Sequence, residues 1–172
     1  MELKQYREEV ERLVAERSGE AIYNGSADHA AVIVENVFIA ARNKVRLLTG
    51  DLNARVYGAR NVVTRAQQFL GHTDHELEVL VEEWNANRSH PLLEEIGENE
   101  NVTFYQIPSR LSAEISYHLM TADEDCFRFE REKNSHAAVA AFGDGETTEH
   151  LNKLWDSIKI RCQKLDIAQM TG

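Results

Sequence analysis

The chain contains 172 residues, of which 42% are apolar and 28% are charged, with nine glycines and two prolines. This composition is typical of a folded protein and excludes collagen-like, low-complexity and disordered chains, while the length suits one domain with a single core. The formal net charge of -10 disfavours binding of nucleic acid over a broad surface, because an acidic surface repels phosphate groups.

The N-terminus and the cysteines favour a reduced, cytoplasmic protein. The first twenty residues are amphipathic and charged, and they lack the apolar core of a secretory signal. No stretch approaches the roughly 18 apolar residues of a spanning helix, so we predict no membrane span. Cys126 and Cys162 show no CxxC spacing, and residues 72–76 offer metal-capable side chains without a third ligand at a recognised spacing. We therefore expect neither a cofactor nor a bound metal.

Apolar periodicity predicts alternating helices and strands. A helix over 2–18 carries a thin apolar stripe that suits a surface helix or a partner contact. The next helix, over 27–43, is apolar around most of its circumference, which indicates burial on several sides. Further helices are predicted over 61–70, 91–97 and 147–165, and strands over 44–49, 77–82, 102–107, 115–120, 126–131 and 137–142.

The order of these elements predicts the fold class. Strand, helix and strand within residues 44–82 form a βαβ unit, so the two strands should be parallel neighbours. The strands over 115–120 and 126–131 flank the polar residues 121–125 and predict an antiparallel hairpin. The chain is thus predicted to be an α/β protein, a single-domain mixed sheet flanked by helices.

Residues 117–125 carry the most informative spacing in the chain. His118 and Met120 lie two residues apart on a predicted strand and therefore share a face. Asp125 follows His118 by seven residues, and the intervening turn is expected to return it toward the imidazole. This pattern resembles the HxKxxxxD signature of the phospholipase D superfamily, with Met120 where the signature has lysine. A half-exposed strand histidine and a solvated turn aspartate are the alternative explanation.

The resemblance implies a fold and a chemistry. The order of elements over residues 20–165 is similar to one half of a phospholipase D-like fold, which implies an N-terminal helix, 1–19, followed by a phospholipase D-like domain, 20–172. In that superfamily the histidine attacks phosphorus, the lysine holds the phosphate and the aspartate supports the site. The resemblance therefore implies that His118 and Asp125 are the catalytic positions of a degenerate motif.

The chain departs from the superfamily pattern in ways that favour lost catalysis. Met120 carries no charge, and the family's Gly-Ser-x-Asn stretch has only residues 133–135, with Asn134, or 142–144 as its nearest substitutes. One motif is present, whereas active members pair two by duplication or in a homodimer. Three residues are candidates to replace the cation: Arg128, Arg131 and Lys133. Met120 and Asn134 are assigned to a predicted ligand-binding set.

Other members of this set come from two loops. Ser26 is predicted to cap a helix and, with His29 three residues later, to bind an anion at the helix start. A plain cap with a packing histidine is the alternative. Asn53 and Arg55 follow the strand over 44–49, where α/β proteins place ligand loops. A polar connection is the alternative there.

Basic residues concentrate in one stretch of this acidic chain. They are Arg42, Lys44, Arg46, Arg55, Arg60 and Arg65. Asp51 is the one acidic residue among them, so the stretch is predicted to attract a phosphate or an acidic partner. Aromatic residues for base stacking do not interleave it except for Tyr57, which does not support binding of single-stranded nucleic acid.

Two functions follow as competing hypotheses. The first, which the departures from the motif favour, is a non-catalytic phospholipase D-like binding or regulatory module that acts through protein–protein contacts. The resemblance implies a bacterial defence or nucleic-acid processing assembly as its setting. The second is a homodimeric phosphodiesterase or nuclease that uses His118 as nucleophile, with two copies meeting in one cleft. A protein partner or a second copy is expected in either case, and nucleic acid is an alternative that the net charge disfavours. An unrelated α/β binding domain is the third possibility.

Overall fold

A computed structural model of the chain describes residues 1–85 and 89–166. Within these residues, the strands are β1 (Ile22–Asn24), β2 (Lys44–Thr49), β3 (Glu76–Val81), β4 (Val102–Gln106), β5 (His118–Ala122), β6 (Cys126–Glu130), β7 (Ala138–Phe142) and β8 (Gln163–Lys164). They form one mixed sheet in the order β1-β7-β6-β5-β2-β3-β4-β8. The helices are α1 (Leu3–Glu16), α2 (Ala27–Ala40), α3 (Ala54–Tyr57), α4 (Arg60–Leu70), α5 (Pro91–Ile96), α6 (Ser109–Ser112) and α7 (Gly145–Lys159).

The centre of the sheet is parallel and its flanks are antiparallel. β2, β3 and β4 run in the same direction, which confirms the predicted βαβ unit with α4 in the crossover. β5 lies antiparallel to β2 and is joined to β6 in the predicted hairpin. The predicted fold class, a mixed sheet flanked by helices, is confirmed.

Side chains alternate between the two faces of the sheet and form a core on each. One face, which we call the α2 face, packs Val45, Leu47 and Met120 beneath α1 to α5. The opposite face packs Leu48 and Leu119 beneath α6 and α7. α2 lies between the sheet and its neighbouring helices, which explains why apolar residues surround most of its circumference.

The N-terminal helix is more deeply buried than its thin apolar stripe indicates. Tyr6, Val10 and Leu13 of α1 belong to the same core cluster as the α2 face. The boundary between an N-terminal helix, 1–19, and a second unit, 20–172, stays a prediction, and residues 167–172 lie outside the described residues. Among the described helices, none has both the length and the apolar character needed to cross a membrane.

Several element boundaries and four short elements differ from the sequence predictions. β5 begins at His118 rather than at residue 115, and it continues through Thr121, which was predicted as turn. Thr121 stays in the strand because it is buried and donates to Asn152 Oδ1 at 2.6 Å. The last helix begins at Gly145, where Asp144 caps it, and it ends at Lys159 rather than at residue 165. The sequence predicts none of the short elements β1, α3, α6 and β8.

Strand directions bring several strand ends together at one edge of the sheet. The parallel strands β2 and β3 end there at Thr49 and Val81, and the antiparallel β5 begins there at His118. β6 ends at the same edge with Glu130, which pairs with His118 in the hairpin register. Polar residues that follow or end these strands therefore meet around His118.

Candidate functional site

His118 lies at this edge, on the α2 face, with its side chain mostly covered. The residue is 8% exposed. A Cβ atom at Gly50 would lie 3.4 Å from His118 Cε1, so the loop after β2 passes close over the ring. The strand β5 positions the imidazole between residues that follow β3 and residues at the end of β6.

Glu82, the residue after β3, holds the imidazole through its carboxylate. His118 Nε2 lies 2.7 Å from Glu82 Oε1, while Glu82 Oε2 accepts hydrogen bonds from Lys133 Nζ at 2.8 Å and Ser112 Oγ at 2.5 Å. Burial opposes ionisation of Glu82, but the hydrogen bonds from His118, Lys133 and Ser112 outweigh it and lower the pKa to about 2. Glu82 is therefore an anion at neutral pH.

A second charged pair, Arg128 with Glu130, lies beside the imidazole on β6. Arg128 donates through its three nitrogens to Glu130 Oε2 at 3.3 Å, Asn24 Oδ1 at 3.4 Å and the His136 carbonyl at 3.4 Å. Glu130 Oε1 lies 4.0 Å from His118 Nδ1. Both ring nitrogens of His118 thus face carboxylates, and the neighbouring guanidinium is already paired.

Met120 and Arg128 lie directly opposite each other in the hairpin register. Both side chains are on the α2 face, and Met120 also pairs with Leu47 of β2. Met120 is 1% exposed and packs in the core, so it does not reach the surface of the site. Position 120 therefore contributes packing, and the nearest cation on that face comes from the next strand.

A small cavity of about 60 Å³ opens in front of His118. We call it the His118 cavity. It is lined by Thr49, Gly50, Asp51, Asn53, Val56, Tyr57, His118, Arg128, Glu130, Asn134 and His136. Asn134 and His136 have φ angles of 72° and 59°, so the β6–β7 connection adopts left-handed backbone where it borders the cavity. Burial raises the pKa of the Tyr57 phenol, which remains a neutral hydrogen-bond donor at neutral pH.

The cavity brings together some of the residues selected from the sequence. Asn53, Asn134 and His118 line it, as does Asp51. Asn53 also caps α3 by accepting the N–H of Arg55 at 3.0 Å, which fixes its side chain at the cavity wall. Two of the three candidate cations form ion pairs with the carboxylates beside His118. Lys133 pairs with Glu82, and Arg128 pairs with Glu130.

Asp125 is not part of this cluster, so the expectation that it returns toward the imidazole is wrong. The register pairs His118 with Glu130 and Ala122 with Cys126, which leaves Asp125 in the turn at the opposite end of the hairpin. Its carboxylate binds Arg17, at the end of α1, at 3.1 Å. The seven residues from His118 to Asp125 cover the whole of β5 and the following turn. The chain returns toward the His118 end only along β6, which begins after Asp125.

Three predicted ligand-binding residues also lie elsewhere. Ser26 caps α2, as predicted, by accepting the N–H of His29 at 3.1 Å. The His29 ring stacks on Tyr6 with centroids 4.0 Å apart. Arg55 extends toward Asp28, with an N–O distance of 3.6 Å. None of Ser26, His29 and Arg55 lines the His118 cavity.

The basic stretch is divided between the two faces of the sheet. Lys44 forms an ion pair with Glu78, and Arg46 lies over the Trp155 ring and 3.7 Å from Asp156. The side chains of the later arginines reach the helical layer of the α2 face instead. The stretch thus does not form one phosphate-binding surface, because Lys44 and Arg46 share the face of β2 that α7 covers, whereas Arg55, Arg60 and Arg65 belong to α3 and α4 on the α2 face.

The two histidines of residues 72–76, where the sequence predicts no metal site, lie against each other in the loop between α4 and β3. His72 and His75 have ring centroids 4.6 Å apart, and His75 Nδ1 lies 2.7 Å from the Phe69 carbonyl. Across residues 1–85 and 89–166, no group of three or more His, Cys, Asp or Glu side chains is arranged to hold a metal ion.

Several residues of the site were not selected from the sequence. They are Glu82, Ser112, Glu130, Tyr57, Thr49, Gly50 and His136. Glu82 carried one usable signal, because a carboxylate follows directly after a buried strand that ends at the same edge as its parallel neighbour. Residues at such strand ends are common, and only the fold shows which of them meet His118.

Comparison with known proteins identifies the fold. No protein-family model matches the sequence, and no curated protein is significantly similar to it. Nuc from Salmonella typhimurium, a phospholipase D family member, aligns with a TM-score of 0.59 and 11% identity over 86% of this chain and 97% of that chain. NucT from Helicobacter pylori aligns with a TM-score of 0.56 and 12% identity over 85% of this chain and all of that chain (100%).

A third solved structure is TrmBL2, an archaeal chromatin protein described with a novel mode of DNA binding. It aligns with a TM-score of 0.60 and 12% identity over 94% of this chain and 62% of that chain. At these identities the similarity concerns the fold alone. The chain has a phospholipase D-like fold, which confirms the fold that the sequence resemblance implied.

Proposed function

We propose that this chain is a non-catalytic phospholipase D-like module that binds or regulates other proteins. The observation that supports this most directly is the hydrogen bond of 2.7 Å between His118 Nε2 and Glu82. A histidine that attacks phosphorus must present a free nitrogen lone pair to the substrate. Glu82 occupies Nε2, and Glu130 Oε1 lies 4.0 Å from Nδ1, so an anionic phosphate that approaches the remaining nitrogen meets a second carboxylate.

The charge balance around His118 supports the same proposal. A phosphodiester and its transition state carry negative charge, and their stabilisation requires unpaired cations or hydrogen-bond donors. Lys133 is paired with Glu82, Arg128 is paired with Glu130, and Met120 is uncharged. Asp51 adds another carboxylate to the cavity wall. The site therefore offers no surplus positive charge for a phosphate.

The proposed setting is a bacterial defence or nucleic-acid processing assembly in which this module contacts other protein chains. Two considerations support it. A fold neighbour is an archaeal chromatin protein with a described mode of DNA binding. The net charge of -10 disfavours extended contact of this chain with nucleic acid and favours a role through protein contacts.

Hydrolysis assays test the loss of catalysis. Purified wild-type protein and His118→Ala are incubated with bis(p-nitrophenyl) phosphate, single-stranded DNA and double-stranded DNA. We expect no turnover above the buffer rate for either protein. Hydrolysis by the wild type that disappears in His118→Ala, with an unchanged circular dichroism spectrum, would overturn the proposal.

A homodimeric phosphodiesterase or nuclease is the second candidate. The cavity of about 60 Å³ beside His118 favours it, because a covered imidazole without such a hollow has no place for a reacting group. This candidate needs two His118 side chains in one cleft, and such a site forms only in a dimer. Light scattering of the purified protein measures whether the chain is a monomer or a dimer. A strict monomer eliminates it, and a dimer with turnover supports it over the first candidate.

A further inference from the structure

A second concave surface lies among the helices of the α2 face, away from the His118 cavity. It is a groove of about 240 Å³ between α1, α2 and the α3–α4 segment. Its accessible apolar lining is Leu3, which is 43% exposed, with the partly buried Ala31 and Ala59, and its basic lining consists of Arg7, Arg55 and Arg60. We call this surface the arginine groove. An apolar lining with several arginines is unusual on a chain whose formal net charge is -10.

One of the three arginines is held by a buried carboxylate. Arg7 binds Glu35 of α2 at 2.5 Å, and Glu35 Oε1 also lies 4.0 Å from Arg65 on α4. Glu35 is buried, so this carboxylate holds two arginines in place and is itself removed from solvent. Arg7 therefore forms a fixed wall of the groove.

The other two arginines are open to an incoming ligand. Arg55 lies 3.6 Å from Asp28, but their side chains are 74% and 66% exposed, and such pairs contribute little in water. Arg60 is exposed and forms no ion pair with any residue of the described ranges. A carboxylate from outside can therefore bind both guanidinium groups without breaking a buried contact.

The start of α4 adds to this local positive potential. α4 begins at Arg60 with Ala59 as its N-cap, and neither a capping side chain nor an acidic residue in the first turn neutralises that end. Two acidic residues, Asp28 and Glu35, line the groove, against three arginines with a fourth, Arg65, beside it. The groove is therefore positive on an otherwise acidic molecule.

We propose that the arginine groove binds an acidic, amphipathic segment of a partner protein. Its carboxylates would pair with Arg55 and Arg60, and its apolar side chains would pack on Leu3, Ala31 and Ala59. The apolar lining favours such a segment over nucleic acid, because a phosphodiester backbone gains nothing from it and the groove has no aromatic ring for base stacking. The inference rests on the proposed function for its protein-binding role, but not on any chemistry at His118.

The test is a binding measurement with a defined probe. A short fluorescein-labelled peptide with glutamate and leucine at helical spacing is titrated with the full-length protein, and fluorescence anisotropy is recorded at low and high salt. A matched peptide with lysine in place of each glutamate, and a single-stranded DNA oligonucleotide, serve as comparison ligands. We expect the acidic peptide alone to bind, and binding to weaken at high salt.

Variants assign the binding to the groove. The double variant Arg55→Gln/Arg60→Gln should weaken peptide binding about tenfold, since two exposed ion pairs together contribute about 1.4 kcal/mol. Arg161→Gln, which removes an exposed arginine in the turn after α7, should bind like the wild type. All three replaced arginines are exposed, so each variant should keep the wild-type melting temperature.

Three results would overturn the proposal. They are no binding of the acidic peptide, equal binding by the double variant, and preferential DNA binding that the double variant abolishes. The last result would assign the groove to nucleic acid. Because Arg55 and Arg60 do not line the His118 cavity, none of these results bears on the hydrolysis assay, so failure of this inference and failure of the proposed function are separate outcomes.

Discussion

Glu82 accepts hydrogen bonds from side chains that belong to three different parts of the chain. His118 comes from β5, Lys133 from the β6–β7 connection, and Ser112 from α6. At the residue scale this carboxylate determines what His118 can do, because it neutralises Lys133 and binds an imidazole nitrogen at the same time. Such a buried pair is costly to break, because removal of one charge leaves its partner unpaired.

The first prediction concerns Glu82→Gln. The side chain of Glu82 is 7% exposed, and the amide would keep hydrogen bonds but leave Lys133 without its counter-ion. We expect the free energy of unfolding at neutral pH to fall by about 3 kcal/mol, measured by urea denaturation. Glu114→Gln replaces an exposed glutamate and is the matched control, expected within about 0.5 kcal/mol of the wild type. A loss no larger than that of the control would contradict the role of Glu82.

The same variant tests the pH dependence of stability. The pKa of Glu82 in the folded protein is about 2, below its usual value of 4.5, so ionised Glu82 stabilises the fold fully above about pH 4.5. This contribution is lost as the pH falls toward 2. We expect the wild type to lose more stability than Glu82→Gln across that window. If the free energies of unfolding of the two proteins changed equally with pH, the Glu82 carboxylate would not be bound by His118, Lys133 and Ser112 as the structure indicates.

At the scale of elements, the end of α1 is tied to the hairpin and to the β7–α7 connection. Arg17 binds Asp125 in the hairpin turn, and the N–H of Gly19 donates to the Phe142 carbonyl at 2.9 Å. Gly143 has a φ of 99°, and a Cβ atom there would lie 2.1 Å from the Arg17 carbonyl oxygen. Asp125 and Gly143 therefore hold elements together, which is a structural role.

The second prediction, at this scale, compares two glycine substitutions. Gly143→Ala combines an unfavourable φ with a backbone clash, and we expect it to lower the free energy of unfolding by about 3 kcal/mol. Gly25→Ala is the control, because its Cβ atom would meet nothing within 4 Å, and its effect should stay within about 1 kcal/mol. Thermal unfolding followed by circular dichroism measures both, and equal melting temperatures would contradict the close contact at Arg17.

At the scale of the whole molecule, α1 shares its core with the rest of the fold. Tyr6, Val10 and Leu13 belong to the cluster that contains Leu47 of β2 and Val79 of β3. A helix that buries its apolar side chains in a common core is expected to unfold together with that core. The predicted boundary at residue 19 can therefore be tested by measuring whether α1 unfolds together with the rest of the chain.

The third prediction uses Val10→Ala for this purpose. Val10 is fully buried, so its truncation should cost about 2 kcal/mol. Far-ultraviolet ellipticity and tryptophan fluorescence, which reports on the partly buried Trp84 and the buried Trp155 of α7, should shift to the same lower midpoint. Val14→Ala, at a half-buried position of the same helix, should cost less. Helical signal lost before the fluorescence change would mean that α1 is a separate unit.

Periodicity accounts for most of the fold that could be predicted. The βαβ unit and the β5–β6 hairpin follow from local patterns, and the structure has both. β1 was missed because it is a three-residue strand that exists through pairing with β7, more than one hundred residues later in the chain. Thr121 was assigned to a turn because its partner, Asn152 of α7, is distant in the sequence.

Residues of the site could be predicted only where their type, or their spacing from another residue, indicated a function. His118 came from its motif, and Asn53 and Asn134 came from loops, and all three line one cavity. Glu82 lies 36 residues from His118 and has no spacing that links the two. Asp125 was misplaced because the count of residues does not show that the hairpin carries it away from the imidazole.

The sequence by itself determined the order of the elements and the absence of a lysine at position 120, because periodicity and residue identity are local properties. Only the tertiary structure decided that Glu82 and Glu130 face His118, and that Lys133 and Arg128 are paired with them. Ion pairs depend on separations of a few ångströms between residues from distant parts of the chain. Those separations are set when antiparallel β5 lies beside parallel β2 and β3, which no local pattern encodes.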